Sequence, residues 1–368
     1  MRVSVCVPAF ERPETTRLLI ESFLAQDYAD RELVIADDSR SDAVEQIVNG
    51  YTDDRIVYRR HHEPLGFCRN LKSALEQSSG QVAVILGDDD LLARADALSI
   101  YAASFASNPT VGYACANLVQ IDGHGEVTLA YVAVAKTTVY EKGPLAVENL
   151  LLSSVHVTGI AFRRVPDLLE LYPGQEMLFP QVKLASEMLS RHAGMAIGTF
   201  LTAARMHEGQ LGFTAMKKPT RAGRPANGGT GRPTTEAEVG GQHGNVEVMQ
   251  IIDCLREDAA LPAAVVRTLE RHYVKSYATN MVNEKINLGN WAVLAHIRLL
   301  RQYSVEAKRA YWLVLLCGVI LALPRRTVQQ LKLKLREVVA SRMMSRYEPG
   351  RDWPLVGTMR EYPRAPLE

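Results

Sequence analysis

The chain has 368 residues, of which 47% are hydrophobic, and its 42 Lys+Arg nearly balance its 41 Asp+Glu. That length suits about two domains of roughly 150 residues, and the composition excludes wholesale disorder, collagen and a small disulfide scaffold. The balance hides a split, because residues 1–216 carry 18 basic against 27 acidic side chains and residues 217–368 carry 24 against 14. An acidic front half is poorly suited to gripping nucleic acid. A basic back half needs a partner: anionic lipid, another polyanion or the front half itself. Five scattered cysteines without a C-x-x-C pair argue against a zinc ribbon or disulfide framework and for a reducing compartment. The N-terminus does not read as a signal peptide, and no run reaches the roughly 18 apolar residues of a membrane span.

In chain order, residues 2–8 read as a buried strand ended by Pro8, and Pro13 to Gln26 as a helix with Pro in its first turn. Glu32–Ala36 is a second strand, Ala43–Val48 a helix, Ile56–Tyr58 a third strand and Arg69–Gln77 a helix. Gln81–Leu86 is a fourth strand that stops at Gly87-Asp88-Asp89-Asp90, followed by a helix over Arg94–Ala106. Beyond it the pattern predicts strands at Gly112–Ile121, Glu126–Val134, Val155–Phe162 and Ile197–Met206, with helices at Leu145–Leu152 and Pro180–His192. Strands alternating with helices of about ten residues define an α/β open sheet. Such sheets bind ligands at the carboxyl ends of their strands, and here those ends carry Pro8–Arg12, Asp37-Asp38 and Asp88–Asp90.

Three adjacent carboxylates at a strand tip repel one another and raise each other's pKa unless a cation compensates. A divalent metal with oxygen ligands, completed by a nucleotide diphosphate, is the natural compensation; a solvated turn that caps the next helix is the alternative. Asp37-Asp38-Ser39 offers acceptors for a base N–H or ribose hydroxyls, or else forms a plain Asx turn.

The stretch VSVCVPAFERPETTRLLIESFLAQDYADRELVIADDSRSD resembles the opening of the family 2 inverting glycosyltransferases. Their pattern runs from a strand through Pro-x-Tyr/Phe-Asn-Arg and a helix ending in Gln-x-Tyr to a strand ending in Asp-Asp-x-Ser. HHEPLGFCRNLKSALEQSSGQVAVILGDDDLL is similar to that family's Asn-x-Gly-x-x-x-x-Arg-Asn helix, strand and Asp-x-Asp-type cluster. The resemblance is close over residues 1–110 and fades through 210. It implies a GT-A fold, with Pro8, Phe10 and Glu11 lining a nucleoside pocket, Asp38 holding the base or ribose, and Arg69 near the base or phosphates. It also implies Mn²⁺ or Mg²⁺ on Asp88, Asp89 and Asp90, with His207, in an Arg-x-His segment, approaching the metal or diphosphate. Glu11 departs from the usual Asn, and Gly87 from the usual first Asp of Leu-Asp-x-Asp-Asp.

Inverting transfer needs a carboxylate to take the acceptor proton. The family's Glu-Asp pair is missing from GQEMLFPQVKLASEML. Glu176 is the candidate base, Glu187 its rival, Gln181 a residue that stands at the expected site without being a base, and His156 a further group that could face the acceptor.

Residues 217–246 are rich in Gly, Pro, Thr and Arg and read as a loop or linker. Helices follow over Val246–Arg256, Pro262–Asn287, Trp291–Gln302, Lys308–Leu323 and Thr327–Met344. Ala310–Leu323 is uncharged, but at about 21 Å it is too short for the roughly 30 Å hydrocarbon core. Gln330–Met344 has the basic amphipathic pattern of a membrane-surface helix. The expected organisation is a catalytic domain over 1–216, a linker over 217–246, a basic helical region over 247–345 and a tail over 346–368. The expected activity is metal-dependent inverting transfer of a sugar from a nucleotide-diphosphate donor to a glycan or lipid-linked glycan, with peripheral contact to the cytoplasmic membrane face and no nucleic-acid partner. A non-catalytic nucleotide-sugar-binding protein is the alternative from another class, and a nucleotidyltransferase the enzymatic one.

Overall fold

The computed structural model describes residues 1–131, 134–205, 244–257, 261–287, 311–324 and most of 326–334, with isolated positions between 293 and 301. The chain divides into two compact units, one holding the described residues up to Arg205 and the other those from Gly244 on.

The first unit is built on a mixed sheet in the order β3-β2-β1-β4-β9-β6-β10-β5, with β7 on β6 and β8 on β10. Its strands are β1 (Val3–Ala9), β2 (Arg31–Asp37), β3 (Ile56–Arg60), β4 (Val82–Ile85), β5 (Leu91–Leu92), β6 (Val111–Ile121), β7 (Val127–Tyr131), β8 (Thr138–Tyr140), β9 (Ile160–Arg163) and β10 (Ala193–Arg205). Its helices are α1 (Pro13–Leu24), α2 (Ala43–Asn49), α3 (Phe67–Gln77), α4 (Ala97–Ser107), α5 (Pro144–Leu150) and α6 (Pro180–Arg191), with a 3-10 turn over Leu151–Val155. The strands β1, β2, β3 and β4 run parallel. Every residue of β1, β2 and β4 is buried, which is why these segments read as mostly apolar runs instead of alternating ones. Pro13 starts α1 where no backbone donor is needed, and Leu19, Ile20 and Phe23 turn its apolar stripe into the core.

Several predicted boundaries move for identifiable reasons. The helix expected from Arg94 begins at Ala97, because Leu91–Leu92 pairs with β10 and the Gln26 side chain accepts the Leu98 N–H while donating to the Arg94 carbonyl. The strand expected from Val155 begins at Ile160, after the 3-10 turn and Gly159. Gly159 has φ +79°, and a Cβ there would lie 2.4 Å from Thr202 Oγ1, so no side chain fits. The three-residue β8 carries no periodic signal and is defined by its pairing with Gly194–Ala196.

The second unit contains α7 (Gly244–Cys254), α8 (Ala263–Asn287) and α9 (Tyr311–Ala322). Val248, Ile252, Val266, Leu269 and Tyr273 are buried, and Arg256 pairs with the buried Glu270 and with Asp253. Uniformly apolar α9 buries Cys317 and Ile320 but exposes Leu315 (72%) and Val319 (56%). Among the described residues no helix is long and apolar enough to cross a membrane. Residues 217–243 of the expected loop, most of the helices expected at 291–302 and 330–344, and the tail over 346–368 lie outside the described residues, whereas 244–246 belong to α7.

Candidate active site

From β1 the chain winds outward to β2 and β3, then returns to β4 on the other side of β1. The carboxyl ends of β1 and β4 therefore flank the point where strand order reverses, the crevice in which open α/β sheets bind ligands. Phe10–Arg12 leave one end and Gly87–Asp90 the other.

The two segments are stitched together. Asp88 Oδ2 accepts the Phe10 N–H at 2.8 Å, and Asp88 Oδ1 accepts Arg12 Nη1 at 2.7 Å. The same nitrogen stands 3.3 Å from Asp89 Oδ2. Asp90 turns inward: its Oδ1 accepts the Arg205 N–H at 2.9 Å, and its Oδ2 accepts the Thr158 hydroxyl. Arg205 in turn donates to the carbonyls of Asp89, Asp122 and Gly123. Gly87 makes this fold-back possible, since a Cβ there would lie 2.8 Å from Asp90 Oδ2 and 2.9 Å from Asp89 Oδ1. The Asp usual in the family pattern would require these two carboxylates to shift.

Of the three aspartates, Asp88 and Asp89 thus share Arg12 as a partner, whereas Asp90 pairs with Thr158 and Arg205. Asp90 is held by protein donors, and among the described residues no three His, Cys, Asp or Glu side chains form a ready metal site. His207 lies outside the described residues. Asp88 and Asp89 do fit a divalent cation. Their hard oxygens converge on one cationic group, the Arg12 guanidinium, at 2.7 and 3.3 Å from Nη1.

Burial pushes the Asp88 carboxyl up to about 6, opposed by Arg12 and reinforced by Asp89. Burial and the Asp89 charge push Asp90 up to about 7. A carboxyl whose folded pKa exceeds its ordinary 3.8 keeps its proton in the folded chain at pH values where the unfolded chain has lost it. Its cost to stability is absent below about pH 4, grows as pH rises, and is fully present above about pH 7. In EDTA, Asp90→Asn is therefore expected to melt above the wild type at about pH 7.5 and level with it near pH 4. A gap of equal size at both pH values would show that the carboxyl is not protonated on folding.

The nucleoside side expected from the sequence is built around Asp37, Asp38 and Glu11. Asp37 forms the Asx turn, accepting the Ser39 N–H at 2.8 Å, and also accepts the Tyr58 hydroxyl at 2.7 Å. Asp38 is buried, with Oδ1 2.9 Å from His61 Nδ1 and Oδ2 accepting the Gly66 N–H at 2.9 Å. It holds the entry to α3, and a ligand would have to share these oxygens. His61 Nε2 continues the chain to Ser73 Oγ at 2.9 Å.

Glu11 has φ 55°, a left-handed backbone that a long side chain rarely adopts and Asn adopts more readily. Its carboxylate accepts the Arg40 N–H (2.7 Å), the Ser41 N–H (3.2 Å) and the Ser41 hydroxyl (2.7 Å), while Ser39 Oγ accepts its N–H. The Ser41 hydroxyl and those backbone donors hold its pKa below the usual carboxylate range. Glu11 thus braces the 39–41 turn instead of lining a pocket with a spare charge. Pro8 is buried within β1 opposite Ala36, whereas the Phe10 side of the crevice keeps aromatic surface in solvent (39% exposed).

Arg69 Nε donates to Glu176 Oε2 at 3.1 Å. Glu176 Oε1 lies so close above Gly66 that a Cβ there would be 2.8 Å away. Both residues line a cavity of about 580 Å³ with Arg59, His61, Lys72 and Tyr172. Tyr172 anchors the overlying loop by donating to the Cys68 carbonyl at 2.8 Å. Glu187 is paired with Lys183 and Arg191. Gln181 is buried, and burial pushes the His156 imidazole down to about 3. The sequence does not single out Arg12, Thr158 or Arg205 as partners of the acidic tip. Arg12 sits inside the Pro-x-Phe-x-Arg signature, but nothing local to Thr158 or Arg205 marks them as partners of Asp90.

These features define a ligand-binding α/β unit with its acidic tip at the switch point of the sheet. Residues 4–167 match the model of Glycosyl transferase family 2, and this stretch is a family 2 glycosyltransferase domain. The chain is 35% identical over 94 residues to GalNAc(5)-diNAcBac-PP-undecaprenol beta-1,3-glucosyltransferase of Campylobacter jejuni, covering 25% of this chain and 30% of that protein. It is 31% identical over 105 residues to abequosyltransferase RfbV of Salmonella typhimurium, covering 27% and 31%. The matched stretches span only about a third of these relatives. The crystal structure of residues 1–349 of S. aureus TarS in complex with UDP-GlcNAc superposes with TM-score 0.59 at 16% identity, covering 90% of this chain and 91% of that one. It shares the GT-A fold.

Proposed function

We propose that the protein is a metal-dependent inverting glycosyltransferase that moves a sugar from a nucleotide-diphosphate donor to a hydroxyl of a glycan or lipid-linked glycan. The observation that carries this reading is the convergence of Asp88 Oδ1 and Asp89 Oδ2 on a single cationic nitrogen at the β1/β4 switch point. Asp88 and Asp89 would hold Mn²⁺ or Mg²⁺, which when bound supplies charge stabilisation to the leaving diphosphate. Phe10 offers its ring to the base, and Asp38, through Gly66, keeps the α3 entry and Arg69 in place beside it. Glu176 is the proposed base that accepts the acceptor's hydroxyl proton, since its side chain is 52% exposed at the rim.

A lipid-linked acceptor is supported by the names of relatives, one of which is a UDP-Glc:alpha-D-GlcNAc-diphosphoundecaprenol beta-1,3-glucosyltransferase of Escherichia coli. Exposed Leu315 and Val319, followed by exposed Arg326 and Lys334, support peripheral contact with an anionic membrane on the cytoplasmic side.

A thermal-shift panel of UDP-, GDP-, CDP- and dTDP-sugars with Mn²⁺ tests the donor. A true donor at about 100 times its Kd stabilises the folded state by roughly 2.7 kcal/mol, and the rise in Tm is expected to vanish in EDTA. Failure of all four to raise Tm would sink the reading.

A further inference from the structure

Arg12 makes an unusual pair. A guanidinium ordinarily grips one carboxylate with two parallel N–H bonds. Here one nitrogen, Nη1, serves two acids, at 2.7 Å from Asp88 Oδ1 and 3.3 Å from Asp89 Oδ2. It acts as a point charge between two carboxylates, the arrangement of a bound cation. Its reach depends on the left-handed Glu11, which is held by bonds to Ser39, Arg40 and Ser41. The Phe10 N–H ties the same turn to Asp88. The chain thus holds a backbone conformation of low intrinsic stability whose result is to set Arg12 over the two acids.

We propose that Arg12 is a positioning residue that keeps the cation's place. Without donor it neutralises Asp88 and Asp89; with the diphosphate and its divalent ion bound, Arg12 leaves Asp89 and pairs with a phosphate oxygen of the leaving group. A guanidinium and a divalent ion repel each other and compete for the same two oxygens. Two oxygens of a phosphate beside Arg12 can take its guanidinium bidentately, which neither Asp88 nor Asp89 does here. The inference rests on the reading of Asp88 and Asp89 as the metal-holding pair.

The test is titration of the full chain with MnCl₂, reading free Mn²⁺ by electron paramagnetic resonance, first alone and then with each of UDP, GDP, CDP and dTDP. Losing a charge-assisted competitor, Arg12→Gln is expected to bind Mn²⁺ alone about tenfold more tightly than the wild type. The gain in Mn²⁺ affinity that the nucleotide brings is expected to shrink by at least that factor. Arg12→Lys, which keeps a point charge, is expected to follow the wild type without nucleotide. Glu11→Gly removes the brace without touching Arg12 and is expected to move Mn²⁺ binding in the same direction as Arg12→Gln, which keeps the test open if that variant folds poorly. Unchanged or weaker Mn²⁺ binding by both variants overturns the proposal. If the wild type binds Mn²⁺ with nucleotide and Asp89→Asn abolishes it, such a result ends this inference alone. If the wild type binds no Mn²⁺ even with nucleotide, the metal reading falls as well.

Discussion

Asp89→Asn is expected to lower transfer, and the slow release of nucleoside diphosphate from donor alone, by on the order of 10³-fold. The size follows from charge. The leaving diphosphate gains negative charge as the glycosidic bond breaks, and a bound divalent ion stabilises that charge by several kcal/mol. Of the three aspartates, Asp89 is the least buried, so its amide variant is accommodated with the least rearrangement. Asp88 also accepts from the Phe10 N–H and Arg12, and Asp90 from Thr158 and Arg205, so a loss of activity on changing either would mix these contacts with any role at the diphosphate. Asp89 is 14% exposed, and its charge raises the pKa of both neighbours. Removing it relieves repulsion, so at neutral pH in EDTA the variant is expected to melt no lower than the wild type. Donor-hydrolysis assays with Mn²⁺ and a melting curve check both halves. Retained hydrolysis would show that the Asp88–Asp89 pair does not serve the leaving group.

The parallel half of the sheet is legible in the sequence because burial on both faces writes mostly apolar runs such as Val3–Val7, broken only by Ser4, and Val82–Leu86, punctuated by Pro8 and Gly87. The same logic places the acidic tips at strand ends. What those tips do is less legible. Asp88, Asp89 and Asp90 look alike in sequence, yet one bonds the turn after β1, one stays near solvent and one is held by residues 68 and 115 positions away. No local pattern reports partners at such separations. Glu11 looks like an extra charge in a nucleoside pocket, and the structure shows it spent on the backbone of the neighbouring turn. β5 and β8 are too short for any period to show, and their pairing with β10 alone defines them.

Glu176→Gln is expected to reduce kcat for transfer by about 10² to 10⁴-fold, the range for loss of a general base, with donor-induced thermal stabilisation kept. The competing groups are weaker candidates on physical grounds. Glu187 accepts from Lys183 Nζ at 2.5 Å and Arg191 at 3.1 Å. Although burial opposes it, that pairing holds the Glu187 pKa below the usual carboxylate range, which makes it a poor proton acceptor. Gln181 is a buried amide, and burial pushes the His156 imidazole down to about 3, which makes it a weak proton acceptor. Glu176 has one ion-pair partner, Arg69, at 3.1 Å and faces the rim of the cavity beside the α3 entry. That position also places it above Gly66, whose N–H is bonded to Asp38, so the same carboxylate could serve the nucleoside end instead of the acceptor. The two roles separate kinetically. A base acts only in the transition state, so its loss lowers kcat and kcat/KM together; a residue that braces the nucleoside raises KM for donor and leaves kcat nearly intact. If Glu176→Gln shows the second pattern and Arg69→Gln reproduces it, Glu176 belongs to the donor's recognition, and the base lies elsewhere in the chain.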